Sequence, residues 1–442
     1  MEIIIGLLSF VITGWLSLSF INFKSQFLER IGLSFILGSG LQSIILFVWL
    51  SIFQIAATRQ NYWIFLLMLL SFLVTINTLF KREIGFVINR TKLSILTIIP
   101  WLLIFLLFLI TLTYSIYEPV YMTDAISLYD FRAKVVFETH DLKRISEVEN
   151  WATYPMFTSM IHLIFRFWGS GNANLYMPLM FLSFSIVFFS NLARKSNIVL
   201  ASVGTFFMYS APILLWQSKV LLNNLPYTIF LCTSIFYGLE AYENSSKSRI
   251  ILIGLLLGLS AWTRLIEPFW IIVLIIILVG SIKIKKIWLG VAAILLFQTI
   301  RGVWPLFAQD ASTNIGVVNQ AQSVVNYVSK NPVLLDSKKS NAYIESFVFM
   351  MNSFFEATGS VPYLFIASIF LEIYFRFNPI KQPLFWTIVC LLFFVWGGTL
   401  YSRLYLDYWQ TLGNALNRMC GFFIPLMIMY IFQSKLWSKI RF

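Results

Sequence analysis

The chain has 442 residues, of which 59% are hydrophobic and 18% aromatic, while only 12% are charged. A soluble domain is usually about 45–50% apolar and about 25% charged, so this composition excludes an ordinary soluble protein. Apolar runs of about 17–25 residues, long enough to cross a hydrocarbon core about 30 Å thick, recur along the sequence. They predict an all-α polytopic membrane protein, because an outer-membrane barrel would show alternating strands of about 10 residues instead.

The formal net charge is +13. In a soluble protein this excess would suggest a nucleic-acid partner. In a membrane protein, Lys and Arg collect in short cytoplasmic loops and set the orientation of the chain. We therefore predict the lipid bilayer, and no nucleic acid, as a partner.

The apolar runs predict about thirteen spans. The first has no basic segment before it and no small-residue cleavage site after it, so we expect a retained span instead of a signal peptide. The predicted spans lie at 3–22, 31–57, 61–80, 93–116, 173–193, 198–216, 225–243, 250–264, 268–282, 287–308, 361–377, 383–400 and 419–433. They define N-terminal helices in 1–92, a core in 93–308, an external region in 309–360 and C-terminal helices in 361–442.

The basic residues predict an orientation for these spans. With thirteen spans, every group of Lys and Arg in the short loops falls on one side, which is then the cytoplasmic side. The N-terminus and the loops at 117–153, 309–345 and 402–418 are then external. The groups are Lys24 and Arg30; Lys81, Arg82, Arg90 and Lys92; Arg194 and Lys195; Lys247 and Arg249; Lys283, Lys285 and Lys286; Arg376 and Lys381; and Lys435, Lys439 and Arg441.

This orientation requires that the apolar segment 154–168 does not cross the membrane. The segment has about 15 residues, which is short for a span, and it contains His162 and Arg166. We predict a re-entrant or interfacial helix on the external face. If the segment crossed, Arg194 and Lys195 would become external and the charge pattern would break.

No nucleotide-binding motif, CxxC or HExxH occurs in the sequence, which has only two histidines and three cysteines. All three cysteines lie in apolar runs, which indicates buried thiols. A His-rich metal site is therefore excluded, although carboxylates could still hold a divalent cation. We predict no cofactor and no metal site.

The external segment 121–145 is unusually rich in charge for this chain. Thr123 or Asp124 is placed to cap a helix, and Asp130 and Lys134 have the i,i+4 spacing of a helical ion pair. Two interpretations remain open at this point. Either the segment is a solvated loop helix with Asp124 as its cap, or it holds a carboxylate base at the bilayer surface.

Cations recur on the same predicted face. Such cations beside an apolar groove suit a lipid phosphate, because arginine can bind phosphate through two parallel hydrogen bonds. A carboxylate nearby suits a general base. Each position also has a plain structural interpretation as a turn, a loop or an interface anchor. The candidates are Lys219 with Asn223, Arg264 with Glu267, and Arg403 and Arg418 around Asp407.

Three stretches of the sequence together resemble the GT-C superfamily of membrane glycosyltransferases. They are "TDAISLYDFRAKVVF" at 123–137, Tyr154–Pro155, and "GLLLGLSAWTRLIEPF" at 254–269. This superfamily includes the protein O-mannosyltransferases and the lipid A aminoarabinose transferase. The resemblance covers about residues 121–270 and leaves the first three spans unexplained.

Individual positions carry the resemblance. Asp124 matches the first acid of the family's external-loop motif, although Ala125 replaces the common Glu. Arg264 matches a family Lys, Glu267 matches a family Glu, and Pro268 replaces a Gly. In "LLNNLPY", Asn224 stands where the family has an acid before Leu-Pro.

The resemblance implies a GT-C fold in which the first external loop, 117–172, bears juxtamembrane helices. The implied enzyme moves a sugar from a polyprenyl-phosphate donor to a hydroxyl of a glycan, lipid or protein acceptor, with inversion of the anomer. It would act at the external face of the bacterial cytoplasmic membrane. Asp124 would be the base, with Asp130 as its rival, and Lys219, Arg264 and Arg418 would bind the departing phosphate. Further site candidates are Glu267, Tyr154, His162 and Arg403.

Two alternatives remain. A polysaccharide polymerase or ligase also uses lipid-linked sugars, and relies more on Arg and His in external loops. A transporter or flippase of lipid-linked sugars would need ionisable residues near the middle of its spans, often with repeat symmetry. The predicted spans are nearly free of charge at mid-depth, which favours an enzyme working at one surface.

Overall fold

The computed structural model describes residues 1–82, 86–87, 94–145, 154–244, 246–264, 268–311, 340–405 and 409–439. Helices dominate these residues, and the strands β1 (Ser25–Gln26) and β2 (Phe86–Val87) form one short parallel pair. The helices are α1 (Glu2–Phe20), α2 (Phe27–Phe53), α3 (Arg59–Leu79), α4 (Ile95–Tyr117), α5 (Phe131–Thr139), α6 (Phe157–Phe167), α7 (Tyr176–Ala193), α8 (Ile198–Tyr209), α9 (Pro212–Gln217), α10 (Asn224–Asn244), α11 (Lys247–Thr263), α12 (Trp270–Lys283), α13 (Ile287–Ala311), α14 (Ser340–Thr358), α15 (Val361–Tyr374), α16 (Pro383–Tyr405), α17 (Gly413–Met419) and α18 (Phe423–Gln433).

In the described part of the chain, eight helical segments are long and apolar enough to cross a membrane. The number rises to nine if α14 and α15, which meet at a bend of 100°, form one broken span. The protein is therefore an all-α polytopic membrane protein, as predicted, whereas the count of thirteen spans is not confirmed. The eight segments are Glu2–Phe20, Phe27–Phe53, Arg59–Leu79, Ile95–Tyr117, Tyr176–Ala193, Ile287–Phe307, Pro383–Leu404 and Ala415–Trp437.

The lower count has identifiable causes. The predicted span 198–216 is divided into α8 and α9, because Pro212 lies at the first turn of a new helix and has no N–H to continue the old one. Helices α12 and α15 have only 14 residues each, about 21 Å at 1.5 Å per residue. Helix α11 has 17 residues, about 26 Å at 1.5 Å per residue, which is also short for a hydrocarbon core of about 30 Å.

The N-terminal helices pack unusually closely. Gly14 of α1 lies against the backbone of Ser34, and Gly38 of α2 lies against the backbone of Phe10, so that a Cβ at either glycine would overlap a carbonyl oxygen. Small residues at such crossings let two helix backbones approach within a membrane. The close α1–α2 pair then packs through α2 on α6 and α7, which places α6 in the protein interior.

The loops that carry the predicted cytoplasmic basic groups meet at one end of the molecule. Arg194 binds Glu29 at 2.8 Å and Glu240 at 3.0 Å, and Arg249 binds the other oxygen of Glu240 at 2.6 Å. The β1–β2 pair joins the first loop to the segment that follows Arg82. These contacts bring together loops that the sequence separates by many spans.

The remaining described basic loops join the same end. The side chain of Lys283 donates to the carbonyl oxygen of Tyr242 at 2.8 Å. Lys195, Arg376 and Lys435 line a common cavity. The sequence-based grouping of the basic loops on one side is thus matched by direct contacts between them, while the identity of that side remains a prediction.

Candidate functional site

A π-helical segment, Ala125–Asp130, opens the first charged loop and runs directly into α5. Ala125 and Tyr129 are buried and pack against Val220 and Leu222, which lie just before α10. This packing turns one face of the segment inward and leaves the side chain of Asp124 about half exposed. Single turns of π-helix occur frequently at functional sites.

Asp124 forms an ion pair with Arg418, a residue 294 positions away in the chain. The Oδ2 of Asp124 accepts a hydrogen bond from Nη1 of Arg418 at 2.7 Å. The carbonyl oxygen of Arg418 in turn accepts a hydrogen bond from Gln217 at 3.0 Å. The first and last external loops of the prediction are therefore joined through two of the predicted site residues.

The predicted capping role of Asp124 is wrong. The backbone of Asp124 is already helical, with φ −60° and ψ −35°, and its side chain makes no capping hydrogen bond. A capping residue normally has extended backbone dihedrals. The carboxylate points to Arg418 instead, where it is available for an interaction outside its own helix.

Arg264 lies at the C-terminal end of α11, and its side chain contacts Asn224 and Tyr154. Its Nη1 donates to Oδ1 of Asn224 at 2.8 Å. Its guanidinium carbon lies 5.6 Å from the centre of the Tyr154 ring, the geometry of a cation–π contact. Asn224, which stands where the resembled family has an acid, thus orients an arginine.

Tyr129 connects these groups electrostatically. Its pKa is raised chiefly by burial and further by Tyr154 and Asp124, while Arg264 and Arg132 oppose the rise. The phenol is therefore within electrostatic reach of both Asp124 and Arg264. Arg132 Nη1 also donates to the carbonyl oxygen of Tyr154 at 2.9 Å, which fixes the backbone beside the ring that Arg264 contacts.

Lys219 lies on the segment that packs against the π-helix. Its amine is 4.8 Å from the centre of the Tyr114 ring, and the next residue, Val220, contacts Ala125 and Tyr129. This position is close to the C-terminal end of α4. The amine is thus on the same surface as Asp124, beside the site formed by Asp124, Tyr154, Arg264 and Arg418.

Asp130 does not pair with Lys134, contrary to the prediction. Its Oδ1 accepts from Nη2 of Arg166 at 2.6 Å and lies 3.3 Å from Nδ1 of His162. Burial tends to raise the pKa of Asp130, but His162 and Arg166 outweigh it and lower that pKa. Burial lowers the pKa of His162 in spite of the nearby carboxylate. Arg166 and His162 both lie on α6, whereas Lys134 is exposed.

One other predicted site residue, Arg403, makes its ion pair and its ring contact elsewhere in the chain. Arg403 binds Glu345 at 2.7 Å and contacts the ring of Trp409, both in the C-terminal part of the chain. Glu267 lies outside the described residues. The structure therefore brings Asp124, Tyr154, Arg264 and Arg418 into one cluster and places Lys219 beside it. Asp130 is bound to α6, where His162 lies, and Arg403 is bound in the C-terminal part of the chain.

Sequence reasoning did not assign Tyr129, Arg166 or Asn224 to the site, whereas it did select His162. Tyr129 follows Ala125 by four positions, and His162 precedes Arg166 by four, so helical spacing signalled that each pair shares a face. Asn224 carried no such signal, because its contact with Arg264 spans 40 positions.

Among the described residues, no three His, Cys, Asp or Glu side chains are grouped closely enough to hold a metal ion. Comparisons with protein-family profiles, with curated proteins and with solved structures find no match for this chain.

Proposed function

We propose that the protein is a membrane glycosyltransferase that moves a sugar from a polyprenyl-phosphate donor to an acceptor hydroxyl at the external membrane face. The observation that carries the proposal is the Asp124–Arg418 pair, which places a carboxylate and a phosphate-binding type of cation at one point. Arg264 contacts the ring of Tyr154, and Tyr154 packs against the cluster of Ala125 and Tyr129 that follows Asp124. An exposed acid paired with an arginine suits base catalysis with a phosphate leaving group.

The ion pair suggests an order of events in the proposed reaction. The donor phosphate would compete with Asp124 for the guanidinium of Arg418, because arginine binds phosphate and carboxylate with the same paired N–H groups. Binding of the donor would then release the carboxylate for the acceptor hydroxyl. In this scheme the base becomes available only when the donor is present.

The proposed transfer is a single displacement. The acceptor oxygen forms a bond to the anomeric carbon while the bond from that carbon to the phosphate oxygen breaks. The acceptor proton passes to Asp124, and the electron pair of the broken bond leaves with the polyprenyl phosphate. Arg418 and Arg264, with Lys219 nearby, would stabilise the charge on that phosphate, and the anomer is inverted.

The surroundings of Asp130 favour a positioning role over that of a base. Two partners on α6 hold its carboxylate, and its side chain is 21% exposed, against 52% for Asp124. His162, only 1% exposed, is buried too deeply to meet a substrate. This burial also gives no support to a polymerase or ligase built on external-loop histidine.

Substitution of Asp124 by Asn tests the proposal. Asn has nearly the same size and Asp124 is half exposed, so folding should survive. A general base typically contributes about 10²–10⁴-fold in rate, and turnover should fall by about that factor. The measurement is sugar transfer from a purified polyprenyl-phosphate donor to a hydroxyl acceptor by the protein in nanodiscs.

Asp130→Asn is the matched control, because it changes the neighbouring carboxylate in the same way. We expect it to lower thermal stability while leaving the rate per folded molecule within about tenfold. Full activity of Asp124→Asn together with loss of activity in Asp130→Asn would exchange the two roles. Transfer by neither the wild type nor any variant would contradict the proposed function itself.

A further inference from the structure

An apolar groove runs along α15, between that helix, α18 and α8. Its volume is about 490 Å³. Helix α15 contributes residues at helical spacing from its first position to its C-cap, so they form one continuous stripe. The groove is therefore about as long as α15, which is about 21 Å. The stripe consists of Val361, Leu364, Ala367, Ser368, Leu371 and Phe375.

Large apolar side chains form the opposite wall of the groove. The ring of Phe432 in α18 packs against the rings of Phe207 in α8 and of Trp437, with ring centres 6.0 and 5.7 Å away. The indole N–H of Trp437 donates to the carbonyl oxygen of Ile431 at 2.7 Å, so it is used within the wall. Both walls thus offer mainly carbon surface to a ligand between them.

The dimensions of the groove match a single hydrocarbon chain. A volume of about 490 Å³ over a length of about 21 Å corresponds to a width of roughly 5 Å. A helix with its side chains is about 10–12 Å wide, so a transmembrane helix of a second copy or of a partner is too wide to enter. Carbon atoms in contact lie about 3.5–4.0 Å apart, and one extended chain of methylene groups therefore fits.

One buried hydroxyl interrupts the apolar stripe. Ser368 is 6% exposed and lines the groove, and its Oγ has no hydrogen-bond partner among the residues that the structure describes. In α16, by contrast, Thr387, Thr399 and Ser402 each donate to the carbonyl oxygen four residues earlier. A buried hydroxyl without a partner is unfavourable, so a ligand that brings an oxygen atom to Ser368 would be stabilised there.

The C-terminal end of α15 marks the level of the lipid head groups. Ser434 donates to Glu372 of α15 at 2.6 Å, and Trp437, three residues further on, lines the groove with Phe375. Tryptophan is enriched at the head-group level of a bilayer, which is about 5–8 Å thick on each side. Ser368 precedes Phe375 by seven residues, about 10 Å along the helix. This depth is close to that at which an ester joins a lipid head to its acyl chain.

We propose that the groove binds one acyl chain of an ester-linked membrane lipid, whose ester carbonyl oxygen accepts a hydrogen bond from Ser368. The chain extends from Ser368 along Leu364 and Val361, and the head group lies at the end marked by Trp437. A polyprenyl chain is hydrocarbon along its length and offers Ser368 no carbonyl oxygen. The site does not depend on the glycosyl transfer proposed above.

The test compares two lipids that differ only in their carbonyl groups, dioleoylphosphatidylcholine and its dialkyl ether analogue. Each is titrated into the full chain in detergent, and retained lipids are counted by native mass spectrometry. The wild type should bind the ester lipid about 2- to 10-fold more tightly than the ether lipid. Ser368→Ala should bind both alike, while its Tm without lipid stays at or above that of the wild type, because an unbonded buried hydroxyl is removed.

A second variant, Ala367→Trp, fills the groove from an exposed position of the stripe. It should weaken binding of both lipids by about tenfold or more. Ile366→Trp is the matched control, because Ile366 is 41% exposed on the same helix outside the groove lining, and it should bind both lipids within about twofold of the wild type.

Two results would overturn the proposal directly. They are equal losses in the two Trp variants and no preference of the wild type for the ester lipid. Undecaprenyl phosphate is the third probe. If Ala367→Trp lost binding of this probe and kept that of the ester lipid, the groove would belong to a polyprenyl chain and the proposal would be wrong.

Discussion

The ion pair between Asp124 and Arg418 adds little to stability. The side chain of Asp124 is 52% exposed and that of Arg418 is 24% exposed, and exposed pairs typically contribute about 0–1 kcal/mol. We therefore expect the ion pair to matter for the proposed chemistry instead of for stability, because it holds a carboxylate and a guanidinium where a phosphate can reach both. Stability and donor binding should respond differently when the pair is broken.

We expect Arg418→Gln to lower the free energy of unfolding by less than about 1 kcal/mol. Its affinity for a polyprenyl-phosphate sugar should fall by about 10- to 100-fold, because a charge-assisted hydrogen bond contributes about 1.5–3 kcal/mol. Arg418→Lys should recover only part of the affinity, since lysine lacks the paired N–H groups. Calorimetric titration of the donor and thermal unfolding measure the two effects.

Arg403→Gln provides the control for this prediction. Arg403 is also partly exposed and paired with a carboxylate, that of Glu345, but it lies apart from Asp124. Its donor affinity should remain within about twofold of the wild type. Equal loss of affinity in the Arg403 and Arg418 variants would argue against a phosphate site at Arg418.

At the scale of elements, α6 acts as a buried support for the loop that carries Asp124. Ten of its eleven residues are buried, and its helix packs on α5 and on α2. At about 1.5 Å per residue it is about 16 Å long, too short to cross a hydrocarbon core of about 30 Å. His162 and Arg166 then attach α6 to Asp130, so the element that supports the site is held by titratable groups.

This attachment predicts a dependence of stability on pH. Burial keeps the folded-state pKa of His162 below its unfolded value of about 6.5. Between these two values the unfolded chain binds the proton that the folded chain excludes, so stability falls as the pH drops below about 6.5. The pKa of Asp130 is also lowered, but its contribution is lost only at more acidic pH, below about 4.

Thermal unfolding in detergent between pH 7.5 and 5.5 tests this prediction. The wild type should lose stability as the pH falls through that range, and His162→Gln should lose distinctly less. His140→Asn is the control, because His140 is exposed, and Asn tolerates its positive φ of 57°. An identical pH response in His162→Gln and the wild type would exclude His162 as the cause.

At the scale of the whole molecule, charged residues form clusters at two ends. One end gathers the basic loops around the network of Glu29, Arg194, Glu240 and Arg249. The other holds the site of Asp124 and Arg418. Charged residues buried in the described helices, such as Glu240 and Glu372, lie within about one turn of a helix end, which gives no support to a transporter with ionisable groups at mid-depth.

The basic end is expected to face the cytoplasm. In a background lacking Cys232, Cys390 and Cys420, a membrane-impermeant maleimide should label Glu138→Cys in intact cells and leave Lys247→Cys unlabelled. Both positions are exposed, so accessibility within the protein does not decide the result. Permeabilised cells should show labelling at both positions. The reverse pattern in intact cells would invert the proposed orientation and remove the external site.

Composition and local spacing determined the class of protein. Long apolar runs can only be buried in lipid or deep in protein, and each predicted span overlaps a helix in the structure. The grouping of the basic loops followed from the same alternation of apolar and charged segments. The number of spans did not follow, because an apolar run does not reveal where its helix ends. The run at 198–216 is divided at Pro212, and the run at 268–282 contains a helix of only 14 residues.

Only the tertiary structure decided which charged residues meet. Local spacing suggested that Asp130 would pair with Lys134, but packing of the π-helical segment on α6 brought Arg166 to it instead. Asp124 met Arg418 across 294 positions, and Arg264 met Asn224 across 40. Ion pairs and hydrogen bonds act over a few ångströms, whereas sequence patterns report only neighbours on one element, so contacts between distant loops depend on how the helices pack.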